Sequence, residues 1–259
     1  MSDETASTEG WTDRDIDAVA GELRAADHAV ALTGAGVSTA SGIPDFRSEG
    51  GIWDKFDPNE FHYQRFLADP TTFWEKRVEM HEAAFGGDVE PNAAHEALAE
   101  MERAGVLDAV VTQNTDGLHA AAGSESVVEL HGTGTRVACE ECDSRFDAAP
   151  VHERVRDGDV PPTCEDCGGL LKPDVVLFGE EMPPGAFQAA RNHAQDADVF
   201  LAVGSSLSVQ PAASLPRLAA RNGTLVVVNL EETPLSGTAD YEFLADVTEV
   251  LPAVAGRFL

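Results

Sequence analysis

Apolar residues fall at Ile16, Val19, Leu23 and Ala26 within Asp15 to His28, three or four apart, and the chain then runs through Ala29 to Leu32 without a polar break. The change from a helical period to a short unbroken apolar run predicts an amphipathic helix feeding a buried strand. Similar runs predict strands at Ala109 to Thr112, Val127 to Leu130, Val175 to Phe178, Val199 to Val203 and Leu225 to Asn229. Because most of these runs are near-continuously apolar rather than alternating, they suit a sheet covered on both faces. Helical spacing returns between them. Ala94, Leu98 and Met101 share a face of Ala93 to Ala104, as do Ala212, Leu215 and Leu218 or Ala219 along Pro211 to Ala220. The alternation predicts an α/β fold with an open parallel sheet and covering helices.

Two segments break this rhythm. Phe56 to Phe85 is rich in Asp and Pro, and Val137 to Leu171 carries every cysteine of the chain. Both read as insertions that build a second, smaller lobe. The expected organisation is a flexible acidic start at 1–12 and a single domain at 13–259. Its large lobe spans about 13–55, 86–136 and 172–259, its helical insertion about 56–85 and its cysteine-bearing insertion about 137–171.

Charge sharpens the picture. Forty-six acidic residues against 17 basic ones give a net charge of -29, and lysine occurs only at Lys55, Lys76 and Lys172. In molar salt the Debye length falls to roughly 3 Å, so repulsion among surface carboxylates is screened while they keep the protein hydrated. The composition reads as halophilic, adapted to a salt-rich cytoplasm; a basic partner is the other reading of the same charge. No basic block or aromatic-basic stripe is present to neutralise phosphates, so sequence-specific nucleic-acid binding is not expected. The first ten residues are acidic and polar, and no stretch approaches a membrane span in apolar length, so neither secretion nor membrane insertion is expected. A cytoplasmic monomer is the default expectation.

The cysteines stand as Cys139-Glu140-Glu141-Cys142 and Cys164-Glu165-Asp166-Cys167, two Cys-x-x-Cys pairs separated by 21 residues. Each pair can place two thiolates on one tight knuckle, and two knuckles complete a tetrahedral four-sulfur zinc site. Disulfides or a redox pair would need an oxidising compartment or a single reactive pair. A zinc with four protein ligands has no open position, so its expected role is structural and no cysteine is left as a nucleophile.

The remaining polar strings cluster after the predicted strands. They are Gly34 through Arg47, Thr112-Gln113-Asn114-Thr115-Asp116-Gly117-Leu118-His119, Glu129-Leu130-His131-Gly132, Phe178-Gly179-Glu180, Gly204-Ser205-Ser206-Leu207-Ser208-Val209 and Val228-Asn229-Leu230-Glu231. Open α/β sheets bind ligands past their strand ends. Singly each string is weak: the glycine turn lacks a regular Gly-x-Gly-x-x-Gly, a lone His131 is more often structural, and Asn114 with Asp116 is compatible with a simple turn.

In combination with the cysteine pairs they resemble the sirtuin family of NAD-dependent protein deacylases, over about residues 13 to 259. The resemblance implies a large lobe built on a Rossmann-like open parallel sheet, a smaller zinc-ribbon and helical lobe, a cleft between them where NAD, consumed as cosubstrate, meets an extended acyl-lysine peptide, and one structural zinc ion held by Cys139, Cys142, Cys164 and Cys167. In that family the acyl oxygen attacks the nicotinamide ribose, nicotinamide leaves, and an alkylimidate forms. His131 is then implied as general base, an imidazole being suited to reversible proton transfer near neutrality. Water completes the release of free lysine and 2'-O-acyl-ADP-ribose. The resemblance makes His131, Asn114 and Asp116 catalytic. It assigns NAD to Gly34, Ala35, Gly36, Thr39, Asp45, Phe46, Arg47, Gln113, Asn114, Asp116, Gly204, Ser205, Ser206, Asn229, Leu230, Glu231 and Asp246. The peptide falls to Val176, Phe178, Gly179, Glu180, Ser208 and Val209, pairing as an added strand. Acyl-lysine proteins are the implied substrates, basic chromatin-associated proteins among them.

The chain departs from the family pattern at Thr115, where isoleucine or valine is usual, and at Thr133 after His131-Gly132. Trp74 and Arg77 occupy the positions where family members that remove succinyl or malonyl groups carry a tyrosine and an arginine. Arg77 can meet an acyl carboxylate; alternatively Phe73, Trp74 and Arg77 form a packed helix face with an exposed basic end. Acetyl-lysine is the expected substrate, with a negatively charged acyl group as the second. ADP-ribosyl transfer to protein and noncatalytic NAD sensing are the other classes, and the presence of His131, Gln113, Asn114 and Asp116 favours deacylation over both.

Overall fold

Six parallel strands, wrapped on both faces, carry the larger part of the chain. A computed structural model of the protein describes residues 11–259, so the expected flexible start at 1–12 lies outside the described residues except for its last two. The strands, in chain order, are β1 (Ala29–Thr33), β2 (Ala109–Thr112), β3 (Val127–Glu129), β4 (Gly132–Cys139), β5 (Arg145–Asp147), β6 (Leu171–Val175), β7 (Val199–Val203), β8 (Thr224–Asn229) and β9 (Tyr241–Leu244). The helices are α1 (Asp13–Ala25), α2 (Ile52–Lys55), α3 (Tyr63–Ala68), α4 (Pro70–Phe85), α5 (Ala93–Arg103), α6 (Leu118–Ala122), α7 (Ala148–Arg156), α8 (Pro184–Asp196), α9 (Ser214–Ala219) and α10 (Val247–Ala255).

The large sheet has the order β3-β2-β1-β7-β8-β9, parallel throughout. Every residue of β1 and β7 is buried, because side chains alternate between two cores. Ala29 and Ala31 of β1 join Ile16, Leu98 and Leu251 from α1, α5 and α10, while Val30 and Leu32 face Ala190 and Leu215 from α8 and α9. The strand order reverses between β1 and β7, the point past whose strand ends open α/β sheets receive their ligands.

The small sheet, ordered β5-β4-β6, is antiparallel. It shares one core with the helical insertion: Phe66, Phe73 and Trp74 pack with Val137, Val151 and Leu171. Two expectations are corrected here. The strand expected at Val175 to Phe178 in the parallel sheet is instead β6, Leu171–Val175, in the small sheet, and the chain turns at Gly179 with φ 77°. The apolar run misled because Leu177 is buried without being in a strand. The small sheet also reaches past 137–171 at both ends, since β4 begins at Gly132 and β6 ends at Val175, paired with each other. No helix among the described residues is long and apolar enough to cross a membrane.

Candidate active site

The loop after β1 and the loop after β7 interlock at the point where the sheet order reverses. Gly34 N donates to Val203 O at 3.1 Å and Gly36 N to Gly204 O at 2.8 Å. A Cβ on Gly34 would stand 2.8 Å from Gly204 O, one on Gly36 2.9 Å from it, and one on Gly204 2.5 Å from Val37 N. Only glycine permits this approach, and the result is a backbone cradle at strand ends of the kind that receives a pyrophosphate. Beyond it the chain forms two 3₁₀ turns, Ala35–Val37 and Thr39–Ser41. Thr39 Oγ1 donates to Gly36 O, holding the turns together.

Next along the edge, Gln113, Asn114 and Asp116 leave β2. Asn114 Nδ2 donates to Gly34 O at 3.1 Å and to Ser38 Oγ at 3.0 Å, and the Ser38 hydroxyl donates to Asp116 Oδ2 at 2.7 Å. Asp116 Oδ1 accepts the Leu118 N–H at the start of α6. Gln113 Nε2 reaches Ser205 Oγ at 3.0 Å, which ties β2 to the loop after β7. Ser38, 1% exposed, is thus the junction that fixes both Asn114 and Asp116. Sequence reasoning gave it no separate role; its signal was a hydroxyl inside a string of small residues. His95 and His119, with rings 4.9 Å apart, line the same buried network, and burial holds His119 neutral by pulling its pKa down to about 3.

His131 follows β3. Its Nδ1 lies 3.0 Å from Gln113 O, and because a carbonyl only accepts, Nδ1 carries the proton and Nε2 keeps its lone pair. Burial lowers its pKa below the usual value, partly offset by the bond to Gln113, so the ring is neutral at pH 7.

The other expected cofactor positions spread around this centre. The Asp45 carboxylate accepts from Arg47 N, Ser48 N and the Ser48 hydroxyl, which shapes the turn that presents Phe46 and Arg47, both exposed. Phe46 packs on Trp53 with ring centroids 5.3 Å apart. Ser206 is exposed and bonded to Ser208, with Val209 beside it. Asn229 bonds Glu231 O, and Leu230 is exposed after β8. Asp246 caps α10 by accepting Thr248 N, so its Oδ1 is engaged in helix capping.

On the opposite rim, Val176 N donates to His131 O at 2.9 Å, placing the expected peptide-docking segment directly beside the base. Phe178 is exposed, and Glu180 accepts from Leu177 N and pairs with Lys172. Trp74 is placed differently from the expectation that it touches substrate. It is wholly buried in the small-lobe core, with its indole N–H donated to Leu171 O at 2.8 Å. Arg77 is not an exposed basic end either: it is buried, desolvation lowers its pKa to about 10, and its Nε has no hydrogen-bond partner. No ion pair joins Arg77 to a carboxylate among the described residues. Thr115 O accepts the Gly134 N–H at 2.7 Å, and Thr133 Oγ1 bonds Thr135 Oγ1.

The four cysteine sulfurs all lie within 4.8 Å of one another, with Cys139 to Cys167 at 3.5 Å and Cys142 to Cys164 at 3.7 Å. A tetrahedron with zinc–sulfur bonds of about 2.3 Å has edges of about 3.8 Å, so the donor set fits zinc in size as well as chemistry. Glu141 N and Gly169 N donate to Cys139 Sγ and Cys167 Sγ, contacts that favour thiolates.

Comparison with known proteins points one way. Residues 34–211 match the Sir2 family. The NAD-dependent protein deacetylase of Haloarcula marismortui is 57% identical, covering 99% of this chain and all of that one. A solved Sir2 enzyme is 41% identical with a TM-score of 0.83, over 95% of this chain and 98% of its own. A Sir2 solved with a p53 peptide and NAD+ is 36% identical with a TM-score of 0.83, over 93% and 98%.

Proposed function

The chain belongs to the Sir2 family, and from that premise we propose how its own residues carry out the reaction. It is an NAD-dependent protein lysine deacetylase, a transferase that releases nicotinamide and O-acetyl-ADP-ribose. NAD supplies an anomeric carbon that can lose nicotinamide and accept the acyl oxygen. The protein's contribution is to hold, orient and deprotonate. The N–H groups of Gly34, Gly36 and Gly204 are spent on the carbonyls of Val203, Gly204 and Val228, so what these glycines give the pyrophosphate is a backbone surface free of side chains, with Ser205 and Ser206 beside it. Asn229, Leu230 and Glu231 serve the adenosine end, and Asp246 supports that end through the start of α10.

The single observation that carries the assignment is the bond from His131 Nδ1–H to Gln113 O, which leaves a neutral imidazole with Nε2 free. His131 Nε2 takes a proton from a ribose hydroxyl, the step that commits the acyl group to transfer. Both Asn114 amide hydrogens donate inward, so Oδ1 is the atom offered to a ribose hydroxyl or an ordered water. Phe46 covers the reacting face and excludes stray water, and Arg47 meets negative charge. The four cysteines hold zinc away from the reaction, as a staple of the small lobe.

Acetyl-lysine is the preferred substrate in this reading. Arg77 supports a second one: a buried guanidinium without a carboxylate partner suits an acyl group that brings its own carboxylate, such as succinyl. The experiment compares NAD-dependent turnover of matched acetyl- and succinyl-lysine peptides in molar KCl for the wild type and Arg77→Met. Deacetylation indifferent to the substitution supports the first reading; desuccinylation abolished by it reverses the preference. The acidic surface further supports basic substrate proteins, chromatin-associated ones included, and a salt-rich cytoplasm.

A further inference from the structure

One of the three lysines in this chain is buried. Lys172, in β6, is 7% exposed, and its ammonium meets three acceptors: Val175 O at 2.8 Å, Glu180 Oε2 at 3.1 Å and Pro173 O at 3.2 Å. An ammonium has three protons, so each is matched. The same Glu180 oxygen accepts the Leu177 N–H at 2.9 Å, and Glu180 N donates back to Leu177 O at 3.0 Å across the turn that contains Gly179. The ion pair therefore staples the end of β6 to the turn that follows it.

What is stapled is the rim of the cleft. Val176, between the two anchor points, donates its N–H to His131 O. From the helical insertion, Phe61 O accepts Phe178 N at 3.2 Å, and Tyr63 N donates to Phe178 O at 2.9 Å. The segment 176–178 is thus fixed to the base on one flank, to residues 61–63 on the other, and by Lys172 and Glu180 from within.

We propose that Lys172 and Glu180 are positioning residues that hold the peptide-docking segment, residues 176–178, in register with His131, and that Glu180 acts through this bond rather than by touching substrate. The proposal rests on the deacetylase reading above for the identity of the peptide. Removing the ammonium leaves a half-buried carboxylate and two carbonyls without their donor. Glu180 then turns to solvent, the Leu177 N–H is released, and the segment must be reordered each time a peptide docks. Among the described residues no hydrogen bond joins this pair to Gly34, Gly36, Gly204 or Ser205, so the effect falls on peptide and not on NAD.

The test uses the full chain in molar KCl, with Lys172→Met, Lys172→Arg and Glu180→Gln. Steady-state constants for an acetyl-lysine peptide and for NAD are measured together with anisotropy of the same peptide carrying a fluorophore, zinc content and thermal midpoint. The expected result is a peptide KM and Kd raised about tenfold in K172M and about threefold in E180Q, the scale of a lost charge-assisted bond. K172R, which keeps the charge, stays within about twofold, as do the NAD KM and the kcat at saturating peptide in every variant. An unchanged peptide Kd in E180Q overturns the proposal, as does a loss of activity that follows zinc or thermal midpoint alone. E180Q decides the matter if K172M does not fold. Anisotropy reads peptide docking whether or not turnover follows, so a wild type that binds the peptide without deacetylating it counts against the deacetylase reading and leaves the positioning result standing.

Discussion

The large and small lobes solve the same problem with different means. In the large lobe, β1, β2 and β7 are buried along their whole length between two apolar layers, and polar side chains collect where the strands end. The small lobe has one core shared by two insertions, and its strand β5 is only three residues long with exposed ends. It adds what apolar burial does not supply: a four-cysteine centre, and Asp174 bridging Arg136 of β4 and Arg145 of β5. Arg136 also reaches Glu129 of β3, so this ion network joins the small sheet to the large one. Where apolar area suffices the chemistry sits only at the edges, and where it does not, metal and charge enter the scaffold itself.

The strongest way to break the contrast is Cys164→Ser. Structural zinc in small sites contributes about 10–16 kcal/mol of apparent binding energy, so the variant loses its metal and the small lobe loses its staple. Deacetylation falls by more than about 100-fold, since the base and the docking segment are anchored to that lobe. Limited proteolysis should cut within 132–175 first; metal content that survives, or cuts that begin in the parallel sheet, would contradict the division. A smaller and narrower effect is expected from His131→Ala, which removes the base alone: kcat drops by about 10²–10⁴ with zinc and thermal midpoint retained. The pH profile gives the sign. A base works only when neutral, and burial lowers the His131 pKa, so wild-type kcat/KM holds as pH falls through about 6.5 and declines only below it. A profile that declines from above that value would show an ordinary, exposed imidazole. The mildest effect on catalysis comes from Leu98→Ala, in the core of the large lobe. It costs about 3 kcal/mol in stability, read as a lower thermal midpoint, with zinc and kcat at 25 °C near wild type.

Much of this was legible in the chain itself, for reasons that differ by region. Ala29 to Leu32 and Val199 to Val203 are apolar because both faces of the sheet are covered, and that pattern survives in one dimension. The cysteine spacing survives too, because a tetrahedral centre constrains its ligands locally. Lys172 did not: a charged residue inside a strand has no local signature of burial, and its partner Glu180 lies across a turn. Trp74, read as touching substrate, is core, and Arg77, read as meeting an acyl carboxylate or as an exposed basic end, is enclosed rather than exposed, because the zinc lobe packs over α4. The bond between His131 and Gln113 joins residues 18 apart in sequence and depends on how β2 and β3 pair.

The distribution of lysine has a meaning beyond stability. An enzyme that acts on acylated lysine is itself open to acylation wherever its own amines reach solvent, and each such site would compete for its cleft or burden its fold. Here Lys172 is enclosed with every proton engaged, and only Lys55 and Lys76 remain exposed in the whole chain. Basic surface positions are carried almost entirely by arginine, whose guanidinium is not an acyl-lysine precursor. Self-acylation is thereby confined to two surface positions, Lys55 and Lys76.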